Sequence, residues 1–199
     1  MAILTGHKVL AVDTETTGMS PEAGARLVEV AHVTISDGVL GETWSSLVQP
    51  GRPIPPDATR VHGITDQMVA GAPSVIDVGR PWRIALADLP LVFHNAPFDL
   101  PFLLALFREA SAPTLLNPII DTLGLARGLP DGVGGNSLQV VRKRLGLPEE
   151  PAHRALGDAL TTARVCIALA ERWERDKGVR SLNELAAVSL DVMRVTGRR

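Results

Sequence analysis

A single cysteine, Cys166, in 199 residues excludes an internal disulfide and any zinc site built on paired cysteines. It lies in the helical run ARVCIALAERW, where a buried packing thiol is expected rather than a reactive one. No stretch approaches the roughly 18 consecutive apolar residues of a membrane span. The start MAILTGHKVL also lacks a basic region followed by a long apolar one, so a cytoplasmic protein without a membrane partner is expected. A strong basic excess is missing too: a net charge of −2 and a pI near 6.2 argue against tight, non-specific binding of duplex nucleic acid. No internal repeat is visible. The glycine-rich segment DGVGGN has no phosphate-loop lysine pattern and reads as a mobile loop.

What is present suits one α/β domain over residues 1–199, with a core at about 8–175 and a last helix at about 181–194. The run KVLAV reads as a buried strand ending in the polar turn DTETTG. LVEVAHVTI and VLGETWSSLV flank Asp37-Gly38, a hairpin signal. PGRPIPP must run extended, and VHGITDQMV follows as a short helix that Thr65 can cap. In VIDVGRPWRIALAD, Gly79 and Pro81 predict two helical pieces. LPLVFHN is a fourth strand before the helix FDLPFLLALFREA, and IIDTLGLARGL is a fifth strand leading to a helix that Asp121 caps. Ser137 opens SLQVVRKRLGL, after which a long helix runs through Trp173. Its expected apolar stripe is Leu156, Leu160, Ala163, Ile167, Ala170 and Trp173. Ser181 and Glu184 form a capping-box pattern for the last helix. The order implies a mixed sheet, with an antiparallel hairpin on one side and parallel crossovers on the other.

Three segments carry candidate chemistry. Asp13 and Glu15 lie two apart on a strand, so their side chains share a face, and two carboxylates that close repel unless a cation lies between them. Taken alone, the pair reads equally well as a cap and a solvated acid. Asp99, in HNAPFD, could merely favour a helix dipole, but residues at the carboxyl ends of neighbouring strands point into a common crevice. Asp158 lies off the apolar stripe of its helix, and His153 in the preceding loop suits proton transfer near neutral pH. The alternatives are an exposed helix charge and a solvated histidine. Setting these four acids aside leaves the rest of the chain at +2, so the modest net charge does not oppose a nucleic-acid substrate.

DTETTG, HNAPFD and HRALGDA, in that order, resemble the three motifs of the DEDDh 3′→5′ exonucleases, and most of all the proofreading epsilon subunits of bacterial DNA polymerase III. The resemblance runs from about Lys8 to Trp173 and includes RLVEVAHV, the VHGIT segment, IIDTL and NSLQVVRKRLGL. It implies a ribonuclease H-like fold, with a mixed five-stranded sheet flanked by helices. It further implies two Mg2+ or Mn2+ ions held by Asp13, Glu15, Asp99 and Asp158, with His153 as general base. Thr16, Thr17 and His62 match positions that hold the terminal nucleotide, His62 having a turn-stabilising role as its alternative. His94 and Asn95 are expected to orient the Asp99 region. The implied partners are nucleic-acid 3′ ends, single-stranded DNA ahead of RNA, and a DNA polymerase III catalytic subunit. No glutamine-led clamp motif follows the core, so a stand-alone repair or turnover role is an equal reading. An RNA-trimming exoribonuclease and a non-catalytic module that grips nucleic-acid ends are the competing functions.

Overall fold

The first apolar run belongs to a strand longer than its sequence pattern suggests. In the computed structural model, which describes residues 3–131 and 135–196, β1 spans Lys8–Thr16 and carries Asp13 and Glu15 within its ladder. It pairs antiparallel with β2 (Leu27–Ser36), and β2 pairs antiparallel with β3 (Val39–Leu47). The β2–β3 turn places Asp37 and Gly38 at φ 52° and 76°, the left-handed pair that a tight hairpin of this kind requires.

Two short helices, α1 (Pro56–His62) and α2 (Asp66–Val69), precede α3 (Val75–Leu86), β4 (Leu91–Phe93) and α4 (Ala96–Glu109). Then follow β5 (Ile119–Asp121), α5 (Thr122–Arg127), α6 (Leu138–Arg144), α7 (Ala155–Lys177) and α8 (Leu182–Thr196). The sheet order is β3-β2-β1-β4-β5, with β4 parallel to both β1 and β5, which is the expected ribonuclease H-like arrangement.

Strand alternation divides the core in two. Val9, Ala11, Ala31 and Val33 face one layer with Cys166, Leu169 and Trp173 of α7 and Leu185 of α8. Leu10, Val12, Val30 and Phe93 face the other, against Trp82 of α3 and Phe102, Leu106 and Phe107 of α4. By the same parity Asp13 and Glu15 look toward α7, while Thr14 looks toward α4. That division positions the site.

Three expectations are corrected. The VHGITDQMV helix is two helices, because Gly63 at φ 73° ends α1 and Thr65 accepts from the Met68 amide to begin α2. Residues 75–86 form one helix with Pro81 inside it rather than two pieces. The missing proline amide is outweighed by packing: Trp82 and Leu86 are buried, Arg80 donates to the Ala110 carbonyl at 2.7 Å, and a Cβ on Gly79 would lie 2.7 Å from that of Ala110. On α7 the buried face runs through Ala155, Ala159, Ala163, Cys166, Ala170 and Trp173, while Leu156, Leu160 and Ile167 are only partly buried. Small residues win that face because they let the helix lie close against β1 and β2. Residues 132–134 of the expected mobile loop lie outside the described residues.

Candidate active site

Asp13 and Glu15 extend from β1 on its α7 side, and Asp158 projects from the first turn of α7. One carboxylate oxygen from each lies within 4.8 Å of the others, so residues from the two ends of the core do converge. Three oxygen donors at this spacing suit a hard divalent cation such as Mg2+ or Mn2+. Asp99 lies outside this trio and is held from the opposite face of the strand, its Oδ1 accepting a 2.7 Å hydrogen bond from the Thr14 hydroxyl. Its charge still acts on Asp13.

The electrostatics expose the tension in this arrangement. Burial and then the neighbouring charges of Asp99, Asp158, Glu15 and Glu29 raise the Asp13 carboxyl well above its usual range. Burial first, then Asp158 and Glu29, push Glu15 up to about 8. Burial takes Asp99 to about 7 against the lowering effect of the Thr14 hydrogen bond. Asp158 is raised by burial and eased by the His153 amide. Without a counter-cation such a cluster retains protons, and a dication would replace them.

The helix carrying Asp158 is seated by partners that are not evident from the sequence. Glu29 on β2, opposite Glu15 in the ladder, accepts from Arg154 Nε (3.0 Å), Arg154 Nη2 (2.6 Å) and the Ala155 amide (2.9 Å). Asp158 accepts from the His153 amide at 2.8 Å and from Gln139 Nε2 at 3.2 Å, and Gln139 is itself gripped by Arg142. His153 is exposed and left-handed at φ 58°. Asn95, before the Asp99 helix, is also left-handed at φ 77°. Both are uncommon conformations for residues other than glycine, the kind of strain that clusters at functional sites. Asp121 caps α5 as expected and also accepts from the Asn95 and Ala96 amides, so it fixes the start of α4 as well. The sequence carried one signal for Glu29: an acid at a core-facing position of LVEVAHV must have a buried partner.

The remaining candidates line the turn after β1. The Thr16 hydroxyl donates to the Gly18 carbonyl at 2.7 Å, and that of Thr17 accepts from the Arg26 amide at 2.9 Å. Buried His62 accepts from the Ile64 amide through Nδ1 at 3.0 Å, the turn-stabilising role, while its buried Nε2 has no hydrogen-bond partner among the described residues. The His94 ring nitrogens bond to groups other than Asp99. The ring bridges the Thr122 hydroxyl and the Asn136 carbonyl, each at 2.8 Å, and so ties the end of β4 to the segment before α6. Cys166 is fully buried and burial pushes its thiol up to about 12, which makes it the expected packing group.

Residues 10–166 match the RNase_T family, described as exonuclease. A DNA polymerase III subunit epsilon-like protein of Rhodobacter capsulatus is 44% identical over 162 residues, covering 79% of this chain and 23% of that protein. The chain thus spans about a quarter of that relative. The DNA polymerase III subunit epsilon of Rickettsia prowazekii is 32% identical over 203 residues, covering 96% of this chain and 88% of its own length. Among solved structures, exonuclease X in complex with 5′ overhanging duplex DNA superposes with a TM-score of 0.70 at 30% identity, over 91% of this chain and 99% of that one. Among the described residues, no helix is long and apolar enough to cross a membrane.

Proposed function

Since the chain belongs to the RNase_T exonuclease family, we propose that it is a single-domain, metal-dependent 3′→5′ exonuclease. It removes nucleoside 5′-monophosphates from the 3′ ends of single-stranded or mismatched DNA. The observation that carries this reading is the meeting of Asp13, Glu15 and Asp158 within 4.8 Å. These three, with Asp99, would hold two Mg2+ or Mn2+ ions, and their all-oxygen character and proton-retaining burial fit such cations. When bound, the ions orient the scissile phosphate and stabilise charge on the attacking and leaving oxygens.

The chain's own residues do the rest. His153 takes a proton from the attacking water, its backbone fixed by Asp158 and its side chain open to solvent. Thr14 orients Asp99. Thr16, Thr17 and His62 bound the turn beside the acids and hold the terminal nucleotide; the Thr17 hydroxyl accepts from the Arg26 amide and keeps its own proton for donation. DNA is preferred because the relatives are named for a DNA polymerase and the neighbouring exonuclease X was solved with duplex DNA. The same names support a DNA polymerase III catalytic subunit as a protein partner.

The test is digestion of end-labelled single-stranded DNA, 3′-mismatched duplex and single-stranded RNA with Mg2+ or Mn2+. Mononucleotides should appear fastest from the DNA substrates, and Asp13→Ala and His153→Ala should each slow release by about 10²–10⁴-fold. Faster release from RNA would make the chain an exoribonuclease. Metal-dependent binding with no mononucleotide product would make it a binding module.

A further inference from the structure

We infer that Glu29 and Arg154 form a positioning clamp that sets the His153 imidazole against the acids, an inference that rests on the exonuclease reading above. Glu29 has a side chain 5% exposed and belongs to the strand beside the acids, yet it coordinates nothing in their trio. All three of its hydrogen bonds go to residues 154 and 155, immediately after His153. Placing a fourth carboxylate there is electrostatically adverse, since its charge pushes both Asp13 and Glu15 upward. A buried ion pair is often no more stabilising than apolar residues of the same volume. Stability alone therefore gives no reason to keep an acid at this position.

Geometry supplies one. The His153 amide is fixed to Asp158 at 2.8 Å on one side, and the next residue is fixed to Glu29 by a two-pronged contact on the other. Between these two anchors the backbone holds His153 at φ 58°. Outside such restraints a non-glycine residue leaves that conformation, and the ring would swing away from the water it must deprotonate. Misplacement of a catalytic group by about 1 Å can cost on the order of 10²-fold in rate. The clamp therefore acts on turnover rather than on binding of the DNA end.

The clamp can be tested with Arg154→Met, Glu29→Gln and the double variant in steady-state hydrolysis of single-stranded DNA at saturating Mn2+. The Arg154 side chain is 43% exposed, so its replacement opens no buried cavity. We expect kcat to fall about 10–100-fold, KM to stay within about twofold, and the double variant, which leaves no unpaired buried charge, to keep a thermal midpoint close to the wild type where Arg154→Met alone lowers it. Because the two residues act through each other, the double variant should be no slower than the worse single variant. Arg154→Lys should not restore the rate, since a lysine cannot reproduce the fork on Glu29. An active wild type with an equally active Arg154→Met, a loss confined to KM, or a multiplicative loss in the double variant would overturn the clamp while leaving the exonuclease reading intact. A wild type inactive on every 3′ end would remove both.

Discussion

Thr14 shows how a small neutral residue can serve a charged site. It sits between Asp13 and Glu15, and strand parity sends its side chain to the opposite layer, where its hydroxyl meets Asp99. Thr14→Val keeps the shape and removes the donor, so Asp99 loses a bond that lowers its pKa and fixes its rotamer. A 10–100-fold lower single-turnover rate with a nearly unchanged thermal midpoint is expected; an unchanged rate would mean that Asp99 needs no support. Residues of this kind explain the limits of the sequence. That Asp13 and Glu15 share a face was legible from period two on a strand, whereas their meeting with Asp158 was implied by the three-motif resemblance, since the expected apolar stripe of its helix is not the buried face. The roles of Thr14 and Glu29 were not legible, since each depends on which element packs over the strand, and the partners of His94 were hidden for the same reason.

Among the elements, α7 brings the most to the site, and its first turn is tightly constrained. A Cβ on Gly157 would lie 1.8 Å from the Pro151 carbonyl oxygen, a contact with backbone that cannot move aside without displacing the loop that carries His153. Gly157→Ala should therefore destabilise the protein by about 1–3 kcal/mol, measurable by denaturant titration, and should slow hydrolysis further because Asp158 is the adjacent residue. Unaltered stability would show that this loop is free to shift. The same helix shows why element identity was legible while its buried face was not. Length and periodicity announced a helix through Trp173, but a stripe of large residues was expected to face the core. Close approach to the sheet instead selects alanines and Cys166. In α3 the local signals of Gly79 and Pro81 pointed to a break that tertiary packing overrides.

At the scale of the whole molecule, the acids link stability to pH and to metal. The folded state raises Glu15 from its ordinary 4.5 to about 8 and Asp99 from 3.8 to about 7. Between those limits the folded chain holds protons that the unfolded chain has released, so metal-free stability falls as pH rises across the interval. A thermal midpoint that drops between about pH 5 and pH 8 is expected, each kcal/mol amounting to about 2–4 °C in a chain of this size. Saturating Mn2+ should restore most at the alkaline end, because the cation binds the deprotonated folded site. A flat profile indifferent to Mn2+ would contradict the coupling. The site's dispersal along the chain has a further outcome. Asp13 belongs to the first strand and Asp158 to the helix that closes over it in the last quarter of the sequence. A polypeptide still emerging from the ribosome thus bears harmless acids, and the site is assembled only once α7 has been made and laid against β1.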